Sequence, residues 1–261
     1  MQVPTTSAGD PRRRTPVNRP SAPTGRTATT PPAPDADDTH DDDLDDLDVD
    51  DGAPADPLDS GPAPLAWRRR TAIEMVVSGL IGLYASFVLS IEAVTLAANP
   101  SATLGCDLNA VISCGKVAQT WQANLLGEHF PNAFLGIAAE AVVLTVAVAM
   151  IGGVRFPRWF MLTAQVVYTL GLVFALWLFQ QAYTEIGALC PWCLLVTVTT
   201  TLVWAGLTRV NVRDGHLSLP GAAGPWARRF VASGNDWFVT VAFLVLLAAV
   251  VMLRYGWAII G

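Results

Sequence analysis

A chain of 261 residues that is 52% hydrophobic and only 15% charged, with a mean hydropathy of +0.42 despite a long polar segment, is not an ordinary water-soluble domain. The composition is that of a membrane protein. The net charge of −6 is unevenly spread: residues 1–65 hold 5 Arg against 14 Asp, a balance of −9, whereas 66–261 hold 11 Lys or Arg against 8 Asp or Glu, a balance of +3. The acidity belongs to the tail, and no nucleic-acid partner is expected.

The tail, 1–65, is rich in Pro, Thr, Asp and Ala and contains "DADDTHDDDLDDLDVDD", a block of like charge with almost nothing apolar to bury. It reads as a disordered, solvated cytoplasmic extension. Arg12, Arg13 and Arg14 resemble the start of a twin-arginine export signal, but no apolar stretch follows them within the tail, so no cleavable signal is expected.

From Thr71 onward the sequence is a succession of apolar runs long enough to cross a bilayer, which takes about 17–25 helical residues. Five spans are predicted: Ala72 to Ala97, Ala133 to Ile151, Trp159 to Tyr183, Leu189 to Leu207, and Trp237 to Ile260. Short cytoplasmic connections retain Lys and Arg. Arg68 to Arg70 precede the first span, Arg155 and Arg158 separate the second and third, and Arg209, Arg213, Arg228 and Arg229 separate the fourth and fifth, all on one side of a five-helix arrangement. The other side has Lys116 alone in its two loops. The N-terminus is therefore expected inside and the C-terminus outside, in a multi-pass cell-membrane protein whose membrane domain covers 66–261.

This orientation gathers all four cysteines at the outer face. Cys106 and Cys114 lie in the long loop 98–132, and Cys190 and Cys193 of "CPWC" open the fourth span. Cysteines on the oxidising side of a membrane point to disulfide chemistry. Pro191 occupies the first-turn position that tolerates a missing N–H, and the helix N-terminus favours a thiolate at Cys190. Cys193 shares its helix face but lies deeper. Three readings stand at this point: a redox relay, a structural Cys106–Cys114 bond, or zinc held by four thiolates. No metal is expected, because the site sits at a lipid interface with no His nearby. His40, His129 and His216 are scattered in polar surroundings and are assigned no role.

"CDLNAVISCGKVAQTW", then "PNAFLGI" opening the second span, then "CPWC" opening the fourth, together resemble the vitamin K epoxide reductase family in its bacterial, quinone-reducing form, over about residues 72–207. The resemblance implies an all-α polytopic protein, with a four-helix bundle around a quinone and a fifth transmembrane helix packed outside. It implies catalytic roles for Cys190 and Cys193 as the active-site pair, with Cys193 beside the quinone ring, and for Cys106 and Cys114 as a shuttle pair. Cys106 is expected to reach inward to Cys190, and Cys114 to meet the external partner. Asn132 matches the family position whose amide hydrogen-bonds a quinone oxygen, and Asp107 also matches. Thr197 stands where vertebrate members have a quinone-binding tyrosine. The implied electron acceptor is menaquinone or ubiquinone from the membrane pool. The implied donor is a separate extracytoplasmic thioredoxin-like (DsbA-type) protein, since many bacterial members carry that domain after the fifth helix and this chain ends at Gly261.

Glu92 and Glu140 are carboxylates inside predicted spans, where they must pair locally or line a cavity. Trp121 and Trp192 fit a quinone site less well than the interfacial positions where tryptophans concentrate. The reading is a membrane thiol oxidase. Its rival is a non-enzymatic membrane scaffold with a structural loop disulfide.

Overall fold

The computed structural model describes residues 63–127 and 130–260, all within one compact unit, Gly52–Gly261. The expected disordered tail lies, through residue 62, outside the described residues, as do Arg12 to Arg14, His40 and His129. The described chain is helical: α1 (Leu65–Ala98), α2 (Cys114–Ala118), a 3-10 turn (Trp121–Asn124), α3 (Ala133–Ile151), α4 (Arg158–Gln181) continued by a π-turn (Ala182–Ile186), α5 (Pro191–Arg213), α6 (Ala223–Ala232) and α7 (Asn235–Ile260). Five of these helices are long and apolar enough to cross a membrane. Their outward side chains, such as Leu80, Phe87 and Leu253, are exposed and apolar, as a lipid-facing surface requires.

The second span runs over the expected residues, and the others shift for identifiable reasons. α1 begins seven residues before Ala72 because Arg68 finds Asp214 at 3.5 Å and Arg69 donates to the Ile151 carbonyl at 3.1 Å, so the basic turn has partners without leaving the helix. α5 begins at Pro191 rather than Leu189 because proline fits the first helical position. It continues past Leu207 to Arg213, with Asn211 buried and donating to Met161 and Gln165 on α4. The threonine run of α5 is tolerated in an apolar setting because its hydroxyls turn back on the helix: Thr197 donates to Cys193, Thr199 to Val196 and Thr201 to Thr197.

α1 packs on α3 and α5, and α4 packs on α5, giving the expected four-helix bundle. Its tightest core lies toward the arginine-bearing end, where Met75, Val146, Met150, Met161, Val203 and Leu207 interdigitate. The close approach of α1 to α5 depends on glycine: a Cβ on Gly206 would fall 2.6 Å from Met75 Cγ. α7 sits outside the bundle against α5 and α6, anchored at one end by Arg209, which pairs with both Glu74 and Asp236, and at the other by the Tyr255 hydroxyl donating to the Tyr183 carbonyl. At 10 residues, α6 is too short to cross a membrane. It buries Ala227 and Val231 against Val212 and leaves Trp226 exposed.

Candidate functional site

The loop between α1 and α3 folds around one carboxylate. Asp107 accepts hydrogen bonds from the Leu104 N–H at 2.9 Å, the Gly115 N–H at 2.9 Å and the Ser113 hydroxyl at 2.7 Å. Burial alone would raise its carboxyl, but these bonds, with a further one from the Cys114 N–H, outweigh burial and hold it below the ordinary carboxylate range. Ser113 also caps α2 by accepting from Lys116 N–H. The result brings Cys106 and Cys114, at the two ends of the Asp107 turn, together in a disulfide with Cα atoms 5.7 Å apart.

The α5 side of the site is set by a reversal of the chain. Gly187 takes a left-handed φ of 66° and closes the π-turn, with its N–H donating to the Ala182 carbonyl. Leu189 then pairs in parallel with Ile112: Leu189 N–H donates to Val111 at 2.7 Å, and Ser113 N–H donates to Leu189 at 3.1 Å. This two-bond clasp lays the Cys114 end of the loop against the start of α5. Cys190 is the N-cap residue, its Sγ accepting from the Cys193 N–H at 3.3 Å. Cys190 and Cys193 are free thiols, and Cys106, Cys114 and Cys190 are buried in one cluster with Leu96 and Leu104.

Beneath this cluster an apolar cavity of about 790 Å³ runs between the four bundle helices, reaching from Cys114, Cys190 and Cys193 down to Leu207. Asn132 and Thr197 line it. Asn132 Nδ2 donates one N–H to the Gln122 carbonyl at 2.7 Å, and its Oδ1 accepts from Leu125 N–H at 3.3 Å, which fixes the amide and leaves a second N–H to give. Thr197 has already spent its proton on the Cys193 carbonyl at 2.9 Å, so toward the cavity it offers only lone pairs. A long apolar chamber with a fixed amide donor and a dithiol at one end fits a quinone head group carrying a hydrocarbon tail.

One contributor was not visible in the sequence. Gln122 is buried and meets Gln181 at 3.3 Å, but nothing in "TWQAN" singles it out. Glu140 lines the cavity about 12 Å below Asn132, counting eight residues of helical rise. It faces Tyr168, whose hydroxyl donates to Ala139, and is therefore remote from the dithiol. Glu92 lies elsewhere, with its Oε1 3.1 Å from Cys106 Sγ. Trp121 and Trp192 do not line the cavity; Trp121 is exposed beside Trp177, and Trp192 packs on Tyr84. Glu92, Cys106 and Cys114 bring three donor atoms within 4.8 Å of one another, but both sulfurs are committed to the disulfide.

The sequence profile of the vitamin K epoxide reductase family matches residues 73–207, just over half of the chain and every residue that lines the cavity. No curated protein matches the sequence.

Proposed function

Since the chain belongs to the vitamin K epoxide reductase family, whose members are quinone-linked disulfide oxidoreductases, we propose that it is a bacterial-type thiol oxidase. In this reading it takes electrons from an extracytoplasmic thioredoxin-like dithiol protein at the Cys106–Cys114 disulfide and passes them through Cys190 and Cys193 to menaquinone or ubiquinone. The observation that carries the proposal is that Cys114, Cys190 and Cys193 line one apolar cavity together with Asn132. A scaffold would have no use for two free thiols opening on a chamber of that size.

The clasp supports one order of exchange. Cys114 lines the cavity and follows directly on the residues paired with Leu189, whereas Cys106 does not line it. This favours Cys114 as the inward thiol and Cys106 as the outward one, the reverse of the assignment expected from the resemblance. An external thiolate attacks Cys106 Sγ and releases Cys114 as thiolate. Cys114 attacks Cys190 Sγ of an oxidised Cys190–Cys193 pair and releases Cys193. The partner's second thiol frees Cys106, which then attacks Cys114, restores the loop disulfide and leaves Cys190 and Cys193 as a dithiol. A quinone held at the Cys193 end supplies the two-electron sink for that dithiol. Asn132 would hold a quinone oxygen with its spare N–H, and the apolar walls exclude water. We assign the cysteine end to the outside because Arg68, Arg69, Arg158 and Arg209 gather at the opposite end of the bundle.

Replacing Cys193 by Ala removes the group that Cys190 would otherwise rejoin, and non-reducing peptide mapping reads what remains. The expected product is a Cys114–Cys190 linkage. A Cys106–Cys190 linkage would restore the opposite order, and an unvarying Cys106–Cys114 bond beside a free Cys190 would make the loop disulfide structural.

A further inference from the structure

Glu92 sits within the last two turns of α1, under the loop that carries the disulfide. A carboxylate there is costly unless it is used, and its surroundings do not neutralise it: one oxygen, Oε1, lies 3.1 Å from Cys106 Sγ, while the other, Oε2, is buried without a hydrogen-bond partner. Among the described residues, the titratable groups facing Glu92 are Cys106 and Cys114, Asp107 on the same loop, and Cys193 on α5. None is a cation. A sulfur in a disulfide carries no proton, so while the loop bond is intact any proton at the Glu92–Cys106 contact belongs to the carboxyl. Once Cys106 is released, the same 3.1 Å contact is the path by which a proton moves between oxygen and sulfur.

We propose that Glu92 is a catalytic residue of the loop disulfide, the acid and base that serves Cys106. The inference rests on the relay set out above. When the partner's second thiol expels Cys106, the leaving thiolate takes the proton from the Glu92 carboxyl. When Cys106 later acts as the resolving nucleophile, its S–H returns that proton to the Glu92 carboxylate. The thiolate then attacks Cys114 Sγ, the Cys106–Cys114 bond forms, the Cys114–Cys190 bond breaks, and Cys190 leaves as thiolate. One proton shuttles and one disulfide is exchanged for another, with no added oxidant or reductant.

The test uses the full chain in detergent without quinone. Protein oxidised at both pairs is mixed with one equivalent of dithiothreitol, quenched with acid at intervals between pH 6 and 9, and mass-tagged to follow the appearance of Cys190 and Cys193 thiols. Glu92→Gln should slow this transfer by roughly 100-fold near neutrality, the low end of general acid–base contributions. The deficit should shrink roughly tenfold per pH unit as Cys106 approaches ionisation by itself near about 8.5. Equal rates in variant and wild type, or a deficit of the same factor at every pH, would overturn the role and leave Glu92 a packing residue. If the Gln variant does not fold, Glu92→Asp decides: a slower reaction with the wild-type pH profile supports the assignment, and a rate that climbs with hydroxide contradicts it. A wild type that moves no electrons from loop to α5 would sink the relay itself and this role with it. Failure of quinone reduction alone would leave this measurement unaffected.

Discussion

Asp107 shows how much one side chain can organise. Its carboxylate gathers four donors from both sides of the disulfide, and Gly115 lets the chain pass close beside it, where a Cβ would approach Asp107 Oδ2 to 3.0 Å. Its carboxyl is held below its ordinary value of 3.8, so the stabilisation is fully present above that pH and is lost as pH falls through the lower folded value. The reduction rate of Cys106–Cys114 by a small thiol, corrected for the thiolate fraction, should therefore be flat from pH 7 to 5 and rise below about pH 4 as the loop loosens. Asp107→Asn should be faster throughout and lack that acid rise. An identical profile for both proteins would remove Asp107 as the organiser. The four cysteines, Asn132 and Asp107 were legible as residues because they stand in recognisable motifs. The segments that meet around them were not, since the clasp between Ile112 and Leu189 pairs residues 77 apart and leaves no local trace. Contacts across 59 and 14 residues likewise hid the pairing of Gln122 with Gln181 and that of Glu92 with Cys106.

At the level of helices, the sequence revealed where the spans lie because apolar length is a direct physical requirement. It did not reveal how the helices meet. α1, α3 and α5 converge at Gly82, where an added Cβ would fall 2.6 Å from Glu140 Oε1 and 2.8 Å from Thr199 Oγ1. Glu140 is thus accommodated by a glycine on a neighbouring helix, a relation that no single-helix pattern encodes. Gly82→Ala should destabilise the protein by about 1–3 kcal/mol, the usual range for overpacking. In combination with Glu140→Ala the loss, read by thermal unfolding in detergent, should be smaller than the sum of the two single losses. Strict additivity would mean that the two residues do not compete for that space. α6 and the 3-10 and π turns escaped the sequence reading for the opposite reason: they are too short to produce a periodic signal, and their order comes from the longer helices around them.

For the whole molecule, α1 alone, at 34 residues, is roughly 51 Å long, well beyond a hydrocarbon core of about 30 Å. Its first turns therefore extend past the hydrocarbon, carrying Arg68 and Arg69 to the end of the bundle opposite the cysteines. The proposed orientation predicts that a membrane-impermeant thiol reagent applied to intact, reduced cells labels Cys106 or Cys114. Labelling that requires membrane disruption would reverse it. The bundle, its cavity and the paired cysteines make sense together only if electrons cross from the loop to the chamber, and purified protein offers the direct measurement. Given a reduced thioredoxin-like protein and a soluble menaquinone analogue, the wild type should consume one quinone for each dithiol oxidised, and serine at any one of Cys106, Cys114, Cys190 or Cys193 should abolish that stoichiometric turnover. Quinone loss at the same rate in wild type and in the variant lacking both Cys190 and Cys193 would contradict the account.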